Sequence, residues 1–210
     1  MIKLYGNPYS RANRVRWALE ESGAAYEEET VALGAGGTRS ARFLEINPNG
    51  HVSVIDDGGL VLFESVPISL YVAKKYSPTE LHVQSEPDEG RLLQWSVWAI
   101  TELEKHIETA SLHVTWLPPA ARSADKAASG QVRVARCLTI LARALEPTGY
   151  LVAERFTVAD LIVTEVITNL VHTGVPLDQF PAVQRCVRKN LSRPAARKAF
   201  AEDIIRPFLA

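Results

Sequence analysis

Ser10 and Asn13 stand where the sequence predicts the start of a helix. A short apolar strand over residues 2–5 ends in the turn Gly6-Asn7-Pro8, and apolar residues at helical spacing follow Ser10. The N–H groups and dipole of a helix N-terminus stabilise an anion, and a nearby hydroxyl adds a hydrogen bond. Lowering a thiol pKa from about 8.5 by roughly two units requires about 2.7 kcal/mol. This helix start is therefore suited to a thiolate; alternatively, Ser10 is only an N-cap, which contributes about 1 kcal/mol.

A second helix start follows Phe63 and contains Glu64 and Ser65, with Pro67 in the first turn. The amides at this start are suited to a carboxylate, and the Glu64 carboxylate is suited to an ammonium group. Together they would bind a zwitterion of the amino-acid type. The alternative is that Ser65 is an ordinary helix cap and that Glu64 faces the solvent.

The front of the chain predicts the element order β-α-β-α-β-β-α. Strands are predicted over residues 2–5, 26–33, 52–55 and 60–63, with helices after Ser10 and over 41–46 and 65–76. Asp56-Asp-Gly-Gly59 between the last two strands is typical of a β-hairpin. We therefore expect an α/β domain over residues 1–77.

Only helical spacing occurs after a polar linker over residues 78–88. One long helix is predicted through Leu92 and Ile107, a second through Val134 and Leu145, and an apolar third around Val166. A helix that is apolar over much of its surface belongs in the centre of a bundle. Two shorter helices are predicted after Phe180 and Arg193, so residues 89–210 should form an all-α domain.

Composition excludes several classes of protein. The 210 residues contain 23 Lys and Arg against 24 Asp and Glu, so the net charge of −1 provides no basic surplus for nucleic acid or an anionic membrane. The two cysteines, Cys137 and Cys186, argue against a disulfide framework and exclude a four-cysteine zinc site. His106 and His113 lack an adjoining carboxylate motif, so no metal is expected. With no signal peptide or membrane span predicted, we expect a cytoplasmic protein.

Two motifs in this order resemble the cytosolic glutathione S-transferase family. Asn47-Pro-Asn-Gly-His-Val52, followed by Asp56-Asp-Gly-Gly59 and then Glu64-Ser65, is similar to the family's glutathione-site pattern. Glu154-Arg-Phe-Thr-Val-Ala-Asp160 is similar to its folding signature, in which Thr157 and Asp160 have capping-box spacing. The resemblance spans nearly the whole chain. It implies a thioredoxin-like first domain and a helical second domain that lines the second-substrate pocket.

The resemblance also implies roles for individual residues. Serine-type, bacterial-like members of the family place their thiol-activating hydroxyl where this chain has Ser10. Nearby alternatives or helpers are Tyr9, Asn13 and Tyr5, and Tyr9 could instead form a wall of the second-substrate pocket. The implied glutathione contacts are Glu64 and Ser65 for the γ-glutamyl end, the Val52 backbone for the cysteinyl unit and His51 for the glycyl carboxylate.

Ser53 departs from the family pattern, which has a cis-proline directly after the residue matching Val52. Either the Val52–Ser53 bond is cis, or a trans bond redirects the Val52 amide and carbonyl. The residues leave both alternatives open. We expect glutathione binding to be weakened but retained.

The activity implied by the resemblance is glutathione transfer. The glutathione thiol would be activated for attack on a small hydrophobic electrophile held between the domains of a homodimeric detoxification enzyme. Isomerisation, dehalogenation and peroxide reduction use the same chemistry and stay open. The alternative, favoured by Ser53, is a non-catalytic binding or regulatory module with the same fold. Disulfide exchange fits the fold, but neither Ser10 nor Asn7 can form a disulfide.

Overall fold

A computed structural model describes residues 1–209, so Ala210, the last residue of the expected helical domain, lies outside the described residues. The chain divides into two compact units. The first combines Met1–Gln84 with Pro194–Ala201, and the second combines Ser85–Arg193 with the residues from Glu202 onwards. The chain therefore returns to the first unit near its end, which the spacing of apolar residues does not indicate.

The first unit confirms the predicted order β-α-β-α-β-β-α. Its elements are β1 (Ile2–Gly6), α1 (Ala12–Ser22), β2 (Tyr26–Thr30), α2 (Ala41–Ile46), β3 (Val54–Asp57), β4 (Leu60–Phe63) and α3 (Ser65–Tyr76). The strands form one sheet in the order β2-β1-β3-β4. β1 is parallel to β2 and antiparallel to β3, and β3 is antiparallel to β4. The parallel pair needs a crossover connection, which α1 provides.

The β3–β4 hairpin is confirmed with a shorter loop than its sequence indicated. Asp56 and Asp57 belong to β3, which leaves Gly58 and Gly59 as the loop. These glycines have φ values of 63° and 96°, as a two-residue hairpin turn requires. The core of this unit includes Leu4 of β1, Ile55 of β3 and Ile68 of α3, which are fully buried.

Helix α1 is buried along most of its length, including the charged residue Arg16. The Arg16 guanidinium donates to Glu28 Oε2 at 2.7 Å, to Asn13 Oδ1 at 2.5 Å and to the Ala199 carbonyl at 2.9 Å. Paired hydrogen bonds of this kind compensate for the desolvation of a buried charge. They also attach the segment from Pro194 to α1, where Trp17 packs edge-on against Phe200 at 5.6 Å.

The second unit is helical, as predicted. Its α-helices are α4 (Glu86–Trp98), α5 (Lys105–Ser111), α6 (Ala124–Leu145), α7 (Val158–Ile167), α8 (Pro181–Leu191) and, after α9 (Pro194–Ala199) in the first unit, α10 (Glu202–Leu209). Short 3-10 turns cover Pro119–Ala121, Thr168–His172 and Leu177–Gln179. No helix within residues 1–209 is long and apolar enough to cross a membrane.

One helical prediction needs correction. The long helix expected through Leu92 and Ile107 is divided, because the segments Ala99–Glu104 and Leu112–Trp116 are π-helical. A π-helical segment shifts each hydrogen bond by one residue, and apolar spacing by threes and fours does not distinguish it from an α-helix.

Helix α7 is buried along its entire length, which agrees with its predicted central position. Thr157 and Asp160 form the predicted capping box at its start. The Asp160 carboxylate accepts hydrogen bonds from the Thr157 N–H, the Thr157 hydroxyl and the Leu151 N–H, each at 2.9 Å. Burial nevertheless raises the pKa of Asp160 to about 6.

Candidate active site

Ser10 lies in the loop between β1 and α1. Its hydroxyl donates to the Asn7 carbonyl at 2.7 Å and accepts the Ala12 N–H at 3.2 Å. The N-cap position predicted for Ser10 is occupied by Arg11, whose φ and ψ of −60° and −4° extend the helical backbone towards the loop. The N-cap therefore lies one residue later than predicted. The Ser10 oxygen nevertheless accepts the N–H of the residue two positions ahead, so it still binds a donor of the first turn.

Asn7 is a residue of this loop that sequence reasoning did not assign to the site. Its Oδ1 accepts the Tyr9 N–H at 3.0 Å, and its Nδ2 donates to the Val31 carbonyl at 3.2 Å. The signal was present in the turn Gly6-Asn7-Pro8, since an Asn side chain often accepts a backbone N–H two residues further on. The bond to Val31, which directly follows β2, could not be predicted from the sequence, because only the folded chain brings these two residues together.

The three alternatives to Ser10 differ in exposure. Tyr9 is 66% exposed beside Ser10. Asn13 is buried and accepts a hydrogen bond from Arg16, whereas Tyr5 is buried and packs edge-on against Phe43 at 6.4 Å. Asn13 and Tyr5 are thus part of the interior of the first unit, and these contacts favour Ser10 and Tyr9 as the groups that meet a ligand.

The Val52–Ser53 peptide bond is cis, which is one of the two alternatives that the sequence left open. Val52 packs against the cluster of Tyr5, Val31, Phe43 and Val54. Ser53 is 3% exposed, and its hydroxyl finds no hydrogen-bond partner in the part of the chain that the structure describes. The His51 side chain is exposed, and its carbonyl accepts the Asn47 amide at 2.7 Å.

Glu64 and Ser65 begin α3, but their roles differ from the simple cap that the sequence suggested. Glu64 is the N-cap residue, and Ser65 is the first residue of the helix. The Ser65 hydroxyl accepts a hydrogen bond from the Arg14 guanidinium at 3.0 Å instead of capping. Arg14 is 1% exposed, so it links the start of α3 to α1 inside the unit. This link was not predictable, because the two residues are 51 positions apart.

Glu64 has a φ of 73°, a value that favours glycine, and its side chain is exposed. Holding a non-glycine residue in this region costs on the order of 1–3 kcal/mol, and such residues cluster at ligand sites. The conformation thus makes Glu64 a candidate ligand-binding residue on evidence independent of its sequence motif.

The far end of α3 is attached to the sheet through Asp57. Its carboxylate accepts from the Tyr71 hydroxyl and the Lys75 ammonium, each at 2.6 Å, and from the Tyr76 hydroxyl at 2.7 Å. Burial alone would raise the pKa of Asp57, but the Lys75 ammonium and the two hydroxyls lower it to about 2. Asp57 is therefore ionised at neutral pH and anchors the helix that presents Glu64.

Cys137 and Cys186 are both free and buried. Burial raises the pKa of Cys137, and it raises that of Cys186 to about 12. Buried thiols with raised pKa values are poor nucleophiles. Residues 1–209 contain no group of three or more His, Cys, Asp or Glu side chains arranged to hold a metal ion. Any reactive sulfur at Ser10 must consequently arrive with a ligand.

Comparisons with known proteins find relatives for both parts of the chain. The family model described as glutathione S-transferase, N-terminal domain, matches residues 1–74, and that described as glutathione S-transferase, C-terminal domain, matches residues 112–202. The chain is 31% identical to glutathione S-transferase APIC of Nicotiana tabacum, over 92% of this chain and 94% of the relative. It is 30% identical to the disulfide-bond oxidoreductase YfcG of Escherichia coli K12, over 95% of this chain and 94% of the relative.

A solved structure has the same fold. It is the theta class glutathione S-transferase of Xanthomonas axonopodis pv. citri with glutathione bound. Its TM-score is 0.85 at 27% identity, and the match covers 94% of this chain and 96% of that one. The two family models and the relatives that match nearly full length show that this chain belongs to the glutathione S-transferase family.

Proposed function

We propose that this protein is a glutathione transferase that uses the Ser10 hydroxyl to stabilise the glutathione thiolate. The observation that carries the proposal is the position of this hydroxyl beside the first turn of α1, in a stretch of 136 residues without cysteine. The thiol loses its proton to solvent, and the thiolate sulfur forms a bond to an electrophilic carbon while the bond from that carbon to its leaving group breaks. The leaving group departs with the electron pair, as chloride does from an aryl chloride. The Ser10 O–H and the helix N-terminus stabilise the thiolate, and binding provides proximity.

The remainder of the glutathione molecule is assigned to three parts of the first unit. Glu64 and Ser65 hold the γ-glutamyl end, the Val52 backbone pairs with the cysteinyl unit in the manner of an added strand, and His51 contacts the glycyl carboxylate. The positive φ of Glu64 and the exposure of its carboxylate support this assignment. The known relatives named as glutathione S-transferases and the glutathione-bound structure support glutathione as the co-substrate.

Glu64→Gln is expected to raise the dissociation constant for glutathione about tenfold while kcat at saturating glutathione changes less than about threefold. The loss corresponds to about 1.4 kcal/mol, as for a charge-assisted contact with the ammonium group that exists equally before and during the reaction. Isothermal titration calorimetry and steady-state kinetics check the two values. The matched control is Glu27→Gln, an exposed carboxylate on β2. A tenfold loss in kcat with unchanged affinity would contradict the assignment.

Conjugation of glutathione to 1-chloro-2,4-dinitrobenzene tests the proposed reaction. A transferase gives a rate above the uncatalysed background that saturates with glutathione. The alternative, a non-catalytic binding or regulatory module, is favoured by Ser53, which replaces the family proline next to Val52. That module would show a heat of binding with glutathione in calorimetry but no catalysis. Absence of heat at millimolar glutathione would contradict both.

Disulfide reduction, the activity named for one relative, is not favoured by the residues of this chain. A mixed disulfide with the protein needs a thiolate, and Ser10 and Asn7 cannot supply one. Cys137 and Cys186 lie in the second unit, where burial raises the pKa of both. Conjugation, or a related reaction in which glutathione supplies all the sulfur, is the better fit. Two unpaired thiols also suit the reducing cytoplasm, where we place the enzyme.

We further propose a homodimer that uses the edge strand β4. Leu60, Val61 and Phe63 of this strand are each more than 40% exposed, and within residues 1–209 β4 pairs on one side only, with β3. An uncharged, apolar edge strand is a template for association, which proteins normally cover or charge. A second copy of the chain would bury this strand.

Val61→Lys is expected to shift the protein from dimer to monomer, because a lysine at an apolar contact must be desolvated. Sedimentation velocity at micromolar concentration gives the mass of each form. Val132→Lys, at another exposed valine, is the control and should remain dimeric. A wild-type monomer at these concentrations would contradict the proposed dimer.

A further inference from the structure

The Ser10 hydroxyl has one proton, and that proton is already engaged. It is donated to the Asn7 carbonyl at 2.7 Å, while the oxygen accepts the Ala12 N–H at 3.2 Å. A hydroxyl oxygen accepts two hydrogen bonds, so one lone pair remains. In this orientation Ser10 can accept a bond from a thiol S–H, but it cannot donate to a thiolate. Asn7, whose carbonyl accepts this proton, therefore affects how Ser10 can stabilise a thiolate.

That residue, Asn7, is held in place by both polar atoms of its side chain. Oδ1 accepts the Tyr9 N–H at 3.0 Å, and Nδ2 donates to the Val31 carbonyl at 3.2 Å. Val31 is itself connected to the end of β1, since its N–H donates to the Gly6 carbonyl at 2.8 Å. The Asn7 side chain thus forms one hydrogen bond within the loop between β1 and α1, to Tyr9, and one to Val31 next to the sheet.

We propose that Asn7 is a positioning residue, which fixes the Ser10 oxygen and holds its proton until a thiolate replaces the Asn7 carbonyl as acceptor. The proposal rests on the transferase function given above. When glutathione binds, the thiol proton leaves to solvent and the Ser10 O–H turns about its Cβ–Oγ bond towards the sulfur. The oxygen itself does not move, because the Ala12 N–H still binds it. Ser10 retains its proton throughout, so no charge is transferred to the protein.

Asn7→Ala removes both side-chain bonds of the loop and tests the proposal. We expect kcat near pH 6.5 to fall about fivefold, the apparent pKa of the bound glutathione thiol to rise by about one unit, and glutathione affinity to change less than about threefold. The ultraviolet absorbance of the thiolate as a function of pH reports that pKa directly. Ser22→Ala, which removes a local hydrogen bond from the Ala24 N–H at the other end of α1, is the control and should change none of the three.

A double-mutant cycle with Ser10→Ala separates positioning from a general loss of structure. If Asn7 acts through Ser10, adding Asn7→Ala to Ser10→Ala lowers kcat by less than about threefold further. Independent, multiplicative effects would overturn the proposal, as would a full loss of activity with no change in the thiol pKa.

Asn7→Ser provides the same test if Asn7→Ala fails to fold. A serine can still accept the Tyr9 N–H but loses the bond to Val31, so an intermediate rise in the thiol pKa is expected. An unchanged pKa in this variant would overturn the proposal. An active wild type with an equally active Asn7 variant refutes the positioning role alone, whereas a wild type without conjugating activity refutes the proposed function and this role with it.

Discussion

Ser10→Ala is expected to lower the rate of glutathione conjugation about 50-fold near pH 6.5, while glutathione affinity changes less than about threefold. If the site lowers the thiol pKa from about 8.5 to about 6.5, about half of the bound glutathione is thiolate at that pH. Loss of the hydroxyl returns the pKa towards 8.5, where about 1% is ionised. The hydrogen bond stabilises the thiolate and not the rest of the tripeptide, so kcat falls and the dissociation constant does not.

The effect of Ser10→Ala on the rate should depend on pH. The loss should shrink as the pH rises through about 8.5, because the thiolate then forms without the hydroxyl. Rates measured from about pH 6 to pH 9 with 1-chloro-2,4-dinitrobenzene test this directly. Tyr9→Phe removes the hydroxyl of the neighbouring alternative, and it should keep the wild-type pH profile if Ser10 is the group that stabilises the thiolate. An equal loss at every pH, or loss of affinity in proportion to rate, would assign Ser10 a structural role only.

Asp160→Ala is expected to lower the free energy of unfolding by about 2–4 kcal/mol at neutral pH. The substitution leaves the Thr157 N–H and the Leu151 N–H without their acceptor at the buried start of α7. Each unsatisfied buried donor costs about 1–3 kcal/mol, and removal of the buried carboxylate offsets part of that cost. Urea denaturation followed by circular dichroism measures the change.

Asp160 should also give stability a pH dependence. Burial raises its pKa in the folded protein to about 6, above the ordinary value of 3.8, so folding favours the protonated carboxyl. This contribution is fully present below about pH 4 and is lost as the pH rises through about 6. A shift of about two units corresponds to about 3 kcal/mol.

Comparison with Asp160→Asn isolates the contribution of Asp160 protonation to stability, because the amide has nearly the same shape and does not titrate. Between about pH 4 and pH 7, wild-type stability should fall by about 3 kcal/mol relative to Asp160→Asn. Parallel curves for the two proteins would contradict the raised pKa. Asp125→Asn, an acidic residue in the first turn of α6 on the exposed surface, is the control and should follow the wild type.

Features of this protein that depend on neighbouring residues were predictable. The Thr157–Asp160 capping box spans three residues, and the Gly58-Gly59 turn joins adjacent strands, so both were evident from spacing alone. The same holds for the element order of the first unit and for the apolar central helix α7. Short-range hydrogen bonds and the period of apolar residues indicate these features, and both are evident from residues close together in the sequence.

Other features were not predictable, because they join distant parts of the chain. Capping of α3 was one of the two roles that the sequence left open for the Ser65 hydroxyl, which instead accepts a hydrogen bond from Arg14. The Arg16 guanidinium reaches the Ala199 carbonyl, 183 positions away, and thereby brings the end of the chain back to α1. The spacing of residues contains no information about such distant partners. Each of these side chains could equally be explained by a contact with its own neighbours in the sequence.

The sequence by itself determined the two-part architecture, the family resemblance and the absence of any protein thiol from the first 136 residues. Only the tertiary structure decided the state of the Ser10 hydroxyl, whose proton is held by the Asn7 carbonyl while the Asn7 side chain is bound at the end of β2. The physical reason is the range of the interactions. Composition and local hydrogen bonding select the elements, whereas the direction of one O–H bond depends on acceptors that the packed sheet and loop bring together.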